Sequence, residues 1–573
     1  MPQFDTLIKG GTVVDGTRTP RFVGDVGLKD GKIAQIGRDG QLKPSDATKT
    51  LDANGLVVAP GFIDLHTHYD AQLNWDPYCT LSGWHGVTSV VIGNCGFGFA
   101  PVTPENRDRA MLTMSRVEAI PYESMKAGIK WEWETFPEWL DFLEQHPKGL
   151  NMLSYVPIAP IMIWVMGIEN AKSRPATPAE RAEMCRILEE SLDAGGCGYS
   201  AQRLGNGIVS VQRDYDGTPM VTDTMADEDM LAFGEVLAKR GEGFIQLTQA
   251  SEDFKADMAF YDKLAEVSGR PILFNATAVR DDRPSLHRRI VRWIEETNKK
   301  GRKIYNQTAT MRQGFFFTFE EWNLFDGSDV WREVTMGTPA ERLEKFKNPA
   351  LRQALCAEFD SGHTPIVTGS IKDFRIESVA NAELEKYTGK TVEECAQMEN
   401  RHPMEMMLDI AIADDLKTEF QTPARNVRED HAAELMSSEY SLPGVSDGGA
   451  HTKFITIGAY PTDLITWMVR DAGFMSLEEA HYRLSALPAR CAGFRNRGML
   501  KEGAPADMVV YDLENLKITP EKPKIVHDFP AGEWRRVQYA EGYRWIMVNG
   551  EVTFEDGNCT GATPGHLLRH GRD

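Results

Sequence analysis

No stretch of the chain stays apolar for the length a bilayer requires, so nothing in it calls for a transmembrane helix. Cysteine is sparse: eight in 573 residues, at 79, 95, 185, 197, 356, 395, 491 and 559, with no CxxC pair. That spacing argues against a disulfide framework and for reduced, mostly buried thiols, any one of which could still bind a metal. Positive charge is in the minority, 63 Lys and Arg against 84 Asp and Glu for a net charge of −21, and no basic stripe with interleaved aromatics appears. Nucleic acid is therefore not an expected partner. The opening Met1-Pro2-Gln3-Phe4-Asp5 lacks the basic and apolar segments of a secretory signal, so the expected location is the cytoplasm and no membrane partner is expected. A Gly-rich phosphate loop and a Ser nucleophile elbow are missing as well.

What is present is a β-rich segment at each end and an alternating middle. Residues 4–58 read as short strands broken by Gly-containing turns, and the same texture returns in Ala506–Asp512 and Tyr543–Gly550. One β-sandwich built from both termini, residues 1–58 with 496–573, is the expectation. Between them, Thr177-Pro178-Ala179-Glu180 opens a helix with a capping box that Gly195-Gly196 closes before a short strand. Helices near Glu228–Arg240 and Leu286–Lys299 alternate with the strands Phe244–Thr248, Pro271–Asn275 and Lys303–Gln307. That rhythm predicts an α/β fold, a TIM-like (β/α)8 barrel over residues 59–495 with the active site where the strands end. Two segments break it: residues 104–150, with Trp131, Trp133, Phe136 and Trp139, and residues 311–440, with Phe315–Phe319 and Trp322. Helical insertions of this kind serve as lids or specificity loops, or simply carry a satellite core.

Val57-Val58-Ala59-Pro60-Gly61-Phe62-Ile63-Asp64-Leu65-His66-Thr67-His68 carries the strongest chemical signal. Side chains alternate along a strand, so histidines at i and i+2 project to one side, as a single divalent metal would need. A bare HxH also arises without any metal; its place at the end of the first strand after a β-rich segment gives it weight.

Together with that segment, three others make the chain resemble the amidohydrolase superfamily, specifically its D-aminoacylase or N-acyl-D-amino-acid deacylase group. They are Trp84-His85-Gly86-Val87 through Gly93-Asn94-Cys95-Gly96, Ser446-Asp447-Gly448-Gly449, and the tail from Gly503-Ala504-Pro505-Ala506-Asp507 to Pro564-Gly565. The resemblance spans nearly the whole chain. It implies a barrel with an attached β-sandwich, a zinc centre and amide hydrolysis by activated water. It also implies that Cys95 is a metal-ligating cysteine and that Asp447 is the aspartate that takes a proton from water. Apart from the resemblance, Cys95 reads as a buried thiol and Asp447 as a helix N-cap.

Two departures from the resembled pattern matter. Where two further metal-binding histidines belong, on the fifth and sixth strands, the chain reads Ile245-Gln246-Leu247-Thr248-Gln249 and Phe274-Asn275-Ala276-Thr277. The surviving set, His66, His68 and Asp447 with Cys95 ligating or bordering, describes one Zn2+ or other divalent metal per chain. Gln246, Gln249 and Asn275 become candidate substrate contacts, since neutral amides are poor zinc ligands. The second departure is an arginine absent from Phe454–Pro461, which removes a substrate-carboxylate clamp; Lys453 is a substitute or an exposed surface lysine. His451 is a candidate to contact substrate or orient Asp447, His85 to support the barrel, and His363 to be a surface or core residue.

The expected activity is hydrolysis of a C–N amide bond in a small molecule such as an N-acyl amino acid. Cyclic amides, lactones or a ring deamination at the same site, and a barrel that has lost catalysis and serves as a binding or assembly subunit, are the alternatives. A homo-oligomer is compatible with the sequence.

Overall fold

The computed structural model describes residues 2–38, 40–204, 212–251, 253–280, 283–321, 325–362 and 369–571. Eight parallel strands form its centre: β1 (Phe62–Asp64), β2 (Val87–Ile92), β3 (Asn151–Ser154), β4 (Gly198–Arg203), β5 (Phe244–Gln249), β6 (Ile272–Thr277), β7 (Ile304–Thr308) and β8 (Ser441–Pro443). β1, β2 and β3 pair in order, and so do β4 to β8. Two seams join these runs into a ring. At one, the Cys197 N–H donates to Ser154 O at 3.0 Å and Val156 and Pro157 pair with Tyr199 and Ser200. At the other, Thr67 bridges Gly448 in parallel register and the His68 N–H donates to Gly448 O at 2.7 Å.

Helices fall between strands because the local signals agree with the apolar pattern. Thr177 and Glu180 form the reciprocal capping box at the start of the helix Pro178–Ala194, and Gly195, at φ 119°, ends it in a left-handed turn that a Cβ would strain. The lower barrel interior is filled by Ile63, Val91, Leu153, Phe244, Leu273 and Leu442. The polar side chains considered below lie instead toward the strands' C-terminal ends.

Both chain ends enter one nine-stranded sheet, in which Val57–Pro60 pairs with the strand Phe4–Val13 on one side and with Met508–Tyr511 on the other. Alternation gives this sheet two buried faces. Met508, Val510, Trp545 and Met547 pack with Ile8, Val26 and Ile33 in its own core, while Val509, Tyr511, Ile546 and Val548 join the large core around the barrel.

The insertions pack differently. In residues 104–150, Trp133, Trp139 and Phe142 cluster within the main core, with ring centroids 4.4 Å and 4.7 Å from Trp133. In residues 311–440 the aromatics build a separate core with Phe317, Phe319, Trp331, Phe374 and Phe420 under a three-stranded antiparallel sheet. Within the run Phe315–Phe319 only Phe316–Phe317 is a strand; Phe317 and Phe319 enter this core, while Phe316 faces the Arg536 guanidinium. Trp322 and His363 lie outside the described residues.

Asp507 ties the terminal sheet to the barrel. Buried, it accepts from the Asn549 N–H at 2.8 Å and Asn151 Nδ2 at 3.1 Å and pairs with Arg497. Asp507→Ala leaves Arg497 buried without its counter-charge, and denaturant unfolding is expected to show a loss of about 3–5 kcal/mol. Adding Arg497→Leu should recover part of it.

Candidate metal centre

Three strand ends meet at one side of the barrel. β1 continues through His66-Thr67-His68, gripped on its β2 side by Thr67, whose hydroxyl donates to Val91 O at 2.8 Å, and on its β8 side by the bond from His68 to Gly448. β2 turns through Gly93 and Asn94 to Cys95, and the Asn94 side chain donates to Thr67 O at 3.0 Å and Val91 O at 2.9 Å. β8 leads to Asp447, where Ser446 Oγ donates to His66 O at 3.0 Å.

Ligand atoms of the buried His66, His68 and Cys95 all lie within 4.8 Å of one another. Cys95 Sγ is 3.5 Å from His66 Nε2, and Asp447 Oδ1 is 3.2 Å from His66 Nε2 and 3.8 Å from His68 Nε2. The structure thus brings all four of these side chains together. Cys95, Asp447 and His451 sit at φ 56°, 47° and 51°, a left-handed conformation that costs a residue with a Cβ on the order of 1–3 kcal/mol and that persists where surrounding contacts enforce it.

His66 Nδ1 faces Gln307 Oε1 on β7 at 3.2 Å, which sets Nδ1 as the donor and turns Nε2 toward Cys95 and Asp447. Gln246 accepts the Cys95 N–H at 2.6 Å. Its Nε2 and Asn275 Nδ2 both donate to Thr248 Oγ1, at 3.1 Å and 2.9 Å, and Cys95 Sγ stands 3.8 Å from that hydroxyl. The fifth and sixth strands therefore present a wall of neutral amides. Among the described residues, Gln202 Nε2 on the neighbouring β4 and Asn275 Oδ1 on β6 are buried without a hydrogen-bond partner.

The charges pull in opposite directions. Burial alone would raise the Asp447 carboxyl, but the hydrogen bond and charge of His66, with His451 and His68 nearby, hold it well below the usual range. Burial would lower His66, yet Cys95 and Asp447 carry it well above its ordinary value. Burial and then the charge of His66 depress His68 to about 3, and burial pushes Asp64, just below them on β1, up to about 6. Two imidazoles, a thiol and a carboxylate in one buried pocket suit a divalent ion of the zinc class.

Other sequence-derived candidates are placed elsewhere. Gln249 is held by Arg203 Nη2 at 2.9 Å and by Asp257 at 3.0 Å. His85 bonds Thr462 Oγ1 at 2.8 Å and Gln538 O at 3.0 Å, a supporting role. Lys453 is not an exposed lysine: it is 8% accessible and pairs with Glu321 at 3.0 Å and Glu533 at 2.9 Å, counter-charges brought from distant segments. His451 turns to a residue the sequence did not single out, Glu118, whose Oε2 is 3.3 Å from His451 Nε2 and 3.7 Å from His68 Nε2. Glu118 lies at the end of the helix Arg107–Val117, 2% exposed. Its one sequence cue was an acid at a helix C-terminus, where bases are favoured.

The sequence pattern of the amidohydrolase family matches residues 49–554. The N-acyl-D-aspartate deacylase of Alcaligenes xylosoxydans xylosoxydans is 25% identical, with 99% of this chain and 96% of that protein covered. Among solved structures, a D-aminoacylase superimposes with a TM-score of 0.68 at 21% identity, over 99% of this chain and 100% of that one. The N-acyl-D-glutamate deacylase of Bordetella bronchiseptica, solved with zinc and a phosphonate inhibitor, gives 0.66 at 22% identity, again over 99% and 100%.

Gln307→Leu removes the group that fixes the His66 ring while leaving the cluster in place. Divalent-metal affinity is expected to fall by roughly 10–100-fold, read by chelator competition.

Proposed function

Because the chain belongs to the amidohydrolase family, we propose that it hydrolyses the C–N bond of a small N-acylated amine, with N-acyl-D-amino acids as the leading substrate class. The observation that carries this reading is the convergence of His66, His68, Cys95 and Asp447 where the barrel strands end. His66 and His68 would hold a divalent ion, Zn2+ in the first instance and one per chain, with Cys95 and Asp447 completing its surroundings. When bound, such an ion supplies a Lewis acid that acidifies water and polarises a carbonyl.

The chain's own residues supply the rest. Asp447, kept ionised by the imidazoles around it, accepts a proton at Oδ1 and returns it to the departing amine nitrogen. Gln307 keeps the His66 ring in one tautomer. On β4 and β6, Gln202 Nε2 offers a donor and Asn275 Oδ1 an acceptor, the complement of a neutral amide edge. Gln246 and Gln249 are engaged within the protein and act through position rather than contact. A small, largely apolar cleft lies beside the Cys95 loop, lined by Phe97, Met114, Ile163 and Trp164, and offers apolar contact on one side of the bond. Among the described residues no helix is long and apolar enough to cross a membrane.

Asp447→Asn keeps an oxygen donor and the shape but removes the proton acceptor. Its kcat on N-acyl-D-amino acids is expected to fall roughly 10²–10⁴-fold with folding and metal content retained, checked by steady-state kinetics and elemental analysis. Wild-type turnover in Asp447→Asn, or fully folded wild-type protein that takes up no divalent ion, removes the proposal.

A further inference from the structure

Glu118 is placed where three separate effects act against a carboxylate. It follows the last turn of the helix Arg107–Val117, so it faces the negative end of the helix dipole. It is 2% exposed, so water does little to stabilise its charge. It also sits in the field of Asp447. Among the described residues no lysine or arginine forms an ion pair with it; what faces it are two imidazoles, His68 and His451, through their Nε2 atoms.

The side of His68 that Glu118 addresses is informative. Among the described residues His68 Nδ1 has no hydrogen-bond partner, so a carboxylate that merely oriented the ring would be expected there. Glu118 lies instead on the Nε2 side, the side shared with Asp447. The 3.7 Å between His68 Nε2 and Glu118 Oε2 is too long for a hydrogen bond. It is close to the separation, about 3.3–4 Å, that two donors adopt when each is about 2.0–2.2 Å from one cation. The backbone reinforces the placement, because the His451 N–H donates to Glu118 O at 2.6 Å and so pins the helix end to the loop that carries Asp447.

Resting on the metal reading above, we propose that Glu118 is a direct ligand of the divalent cation, an anionic oxygen donor that the insertion at 104–150 contributes to the barrel. The insertion is then part of the metal site. The donor set gains a hard oxygen to set against the thiol and imidazoles of Cys95, His66 and His68, which broadens the range of divalent ions it accepts.

The test uses the full chain, stripped with a chelator and titrated with ZnCl2, comparing wild type with Glu118→Gln by calorimetry and by thermal unfolding with and without Zn2+. Glu118→Gln preserves shape and removes the charge. The expected result is a variant that, metal-free, unfolds at or above the wild-type temperature, binds Zn2+ at least tenfold more weakly and gains less from it in thermal midpoint. A purely structural role would lower the metal-free midpoint and leave Zn2+ affinity unchanged, and that result overturns the proposal. Should Glu118→Gln show no folded transition, Glu118→Ser carries the same comparison with the same two outcomes. Wild-type protein that binds no Zn2+ overturns the metal reading itself, whereas tight binding by wild type and variant alike removes Glu118 alone.

Discussion

The site depends on the seam between the first and last barrel strands. A short main-chain hydrogen bond from His68 to Gly448, and a second from Ser446 Oγ to His66 O, bring a pair of histidines from near the start of the chain against an aspartate almost four hundred residues later. Gly449 is required at this seam. At φ 90° it lies in the left-handed region, and a Cβ there would stand 2.6 Å from His68 O, so any other residue would force the two strands apart. Closing the ring and assembling the candidate metal centre are the same event.

That coupling explains which parts were legible beforehand. Strand and helix alternation and the Thr177–Glu180 cap rest on local periodicity or local hydrogen bonds, and these survive in the fold with boundaries moved by up to three residues, whereas the short strands read around Gly10-Gly11 are one strand, Phe4–Val13. His66 and His68 were legible because strand alternation alone places them on one side. Cys95 and Asp447 entered through resemblance rather than through pattern, since each depends on a left-handed turn that no periodicity announces. Glu118 was hidden because its position depends on the path of an entire insertion. Lys453 was misjudged for the same kind of reason: whether a lysine is exposed is decided by what packs over it, here Glu321 and Glu533.

Gln246 and Asn275 show how a barrel can change what it does at fixed geometry. Both stand on strands whose C-terminal ends face the centre, and both are amides that direct their N–H groups to one hydroxyl, Thr248. The titratable side chains of the candidate centre thus lie on the β1, β2 and β8 side, and these two amides leave the opposite wall neutral.

The sheet built from both termini has a consequence for how the polypeptide comes into being. Val57–Pro60, immediately before β1, has one of its two neighbours in Met508–Tyr511, which leaves the ribosome only after the whole barrel has been made. At translation speeds of about 5–20 residues per second that interval is on the order of tens of seconds, during which the strand exposes an unpaired edge. The finished sheet is therefore reached only once Met508–Tyr511 has been made, and until then one edge of Val57–Pro60 has no strand beside it.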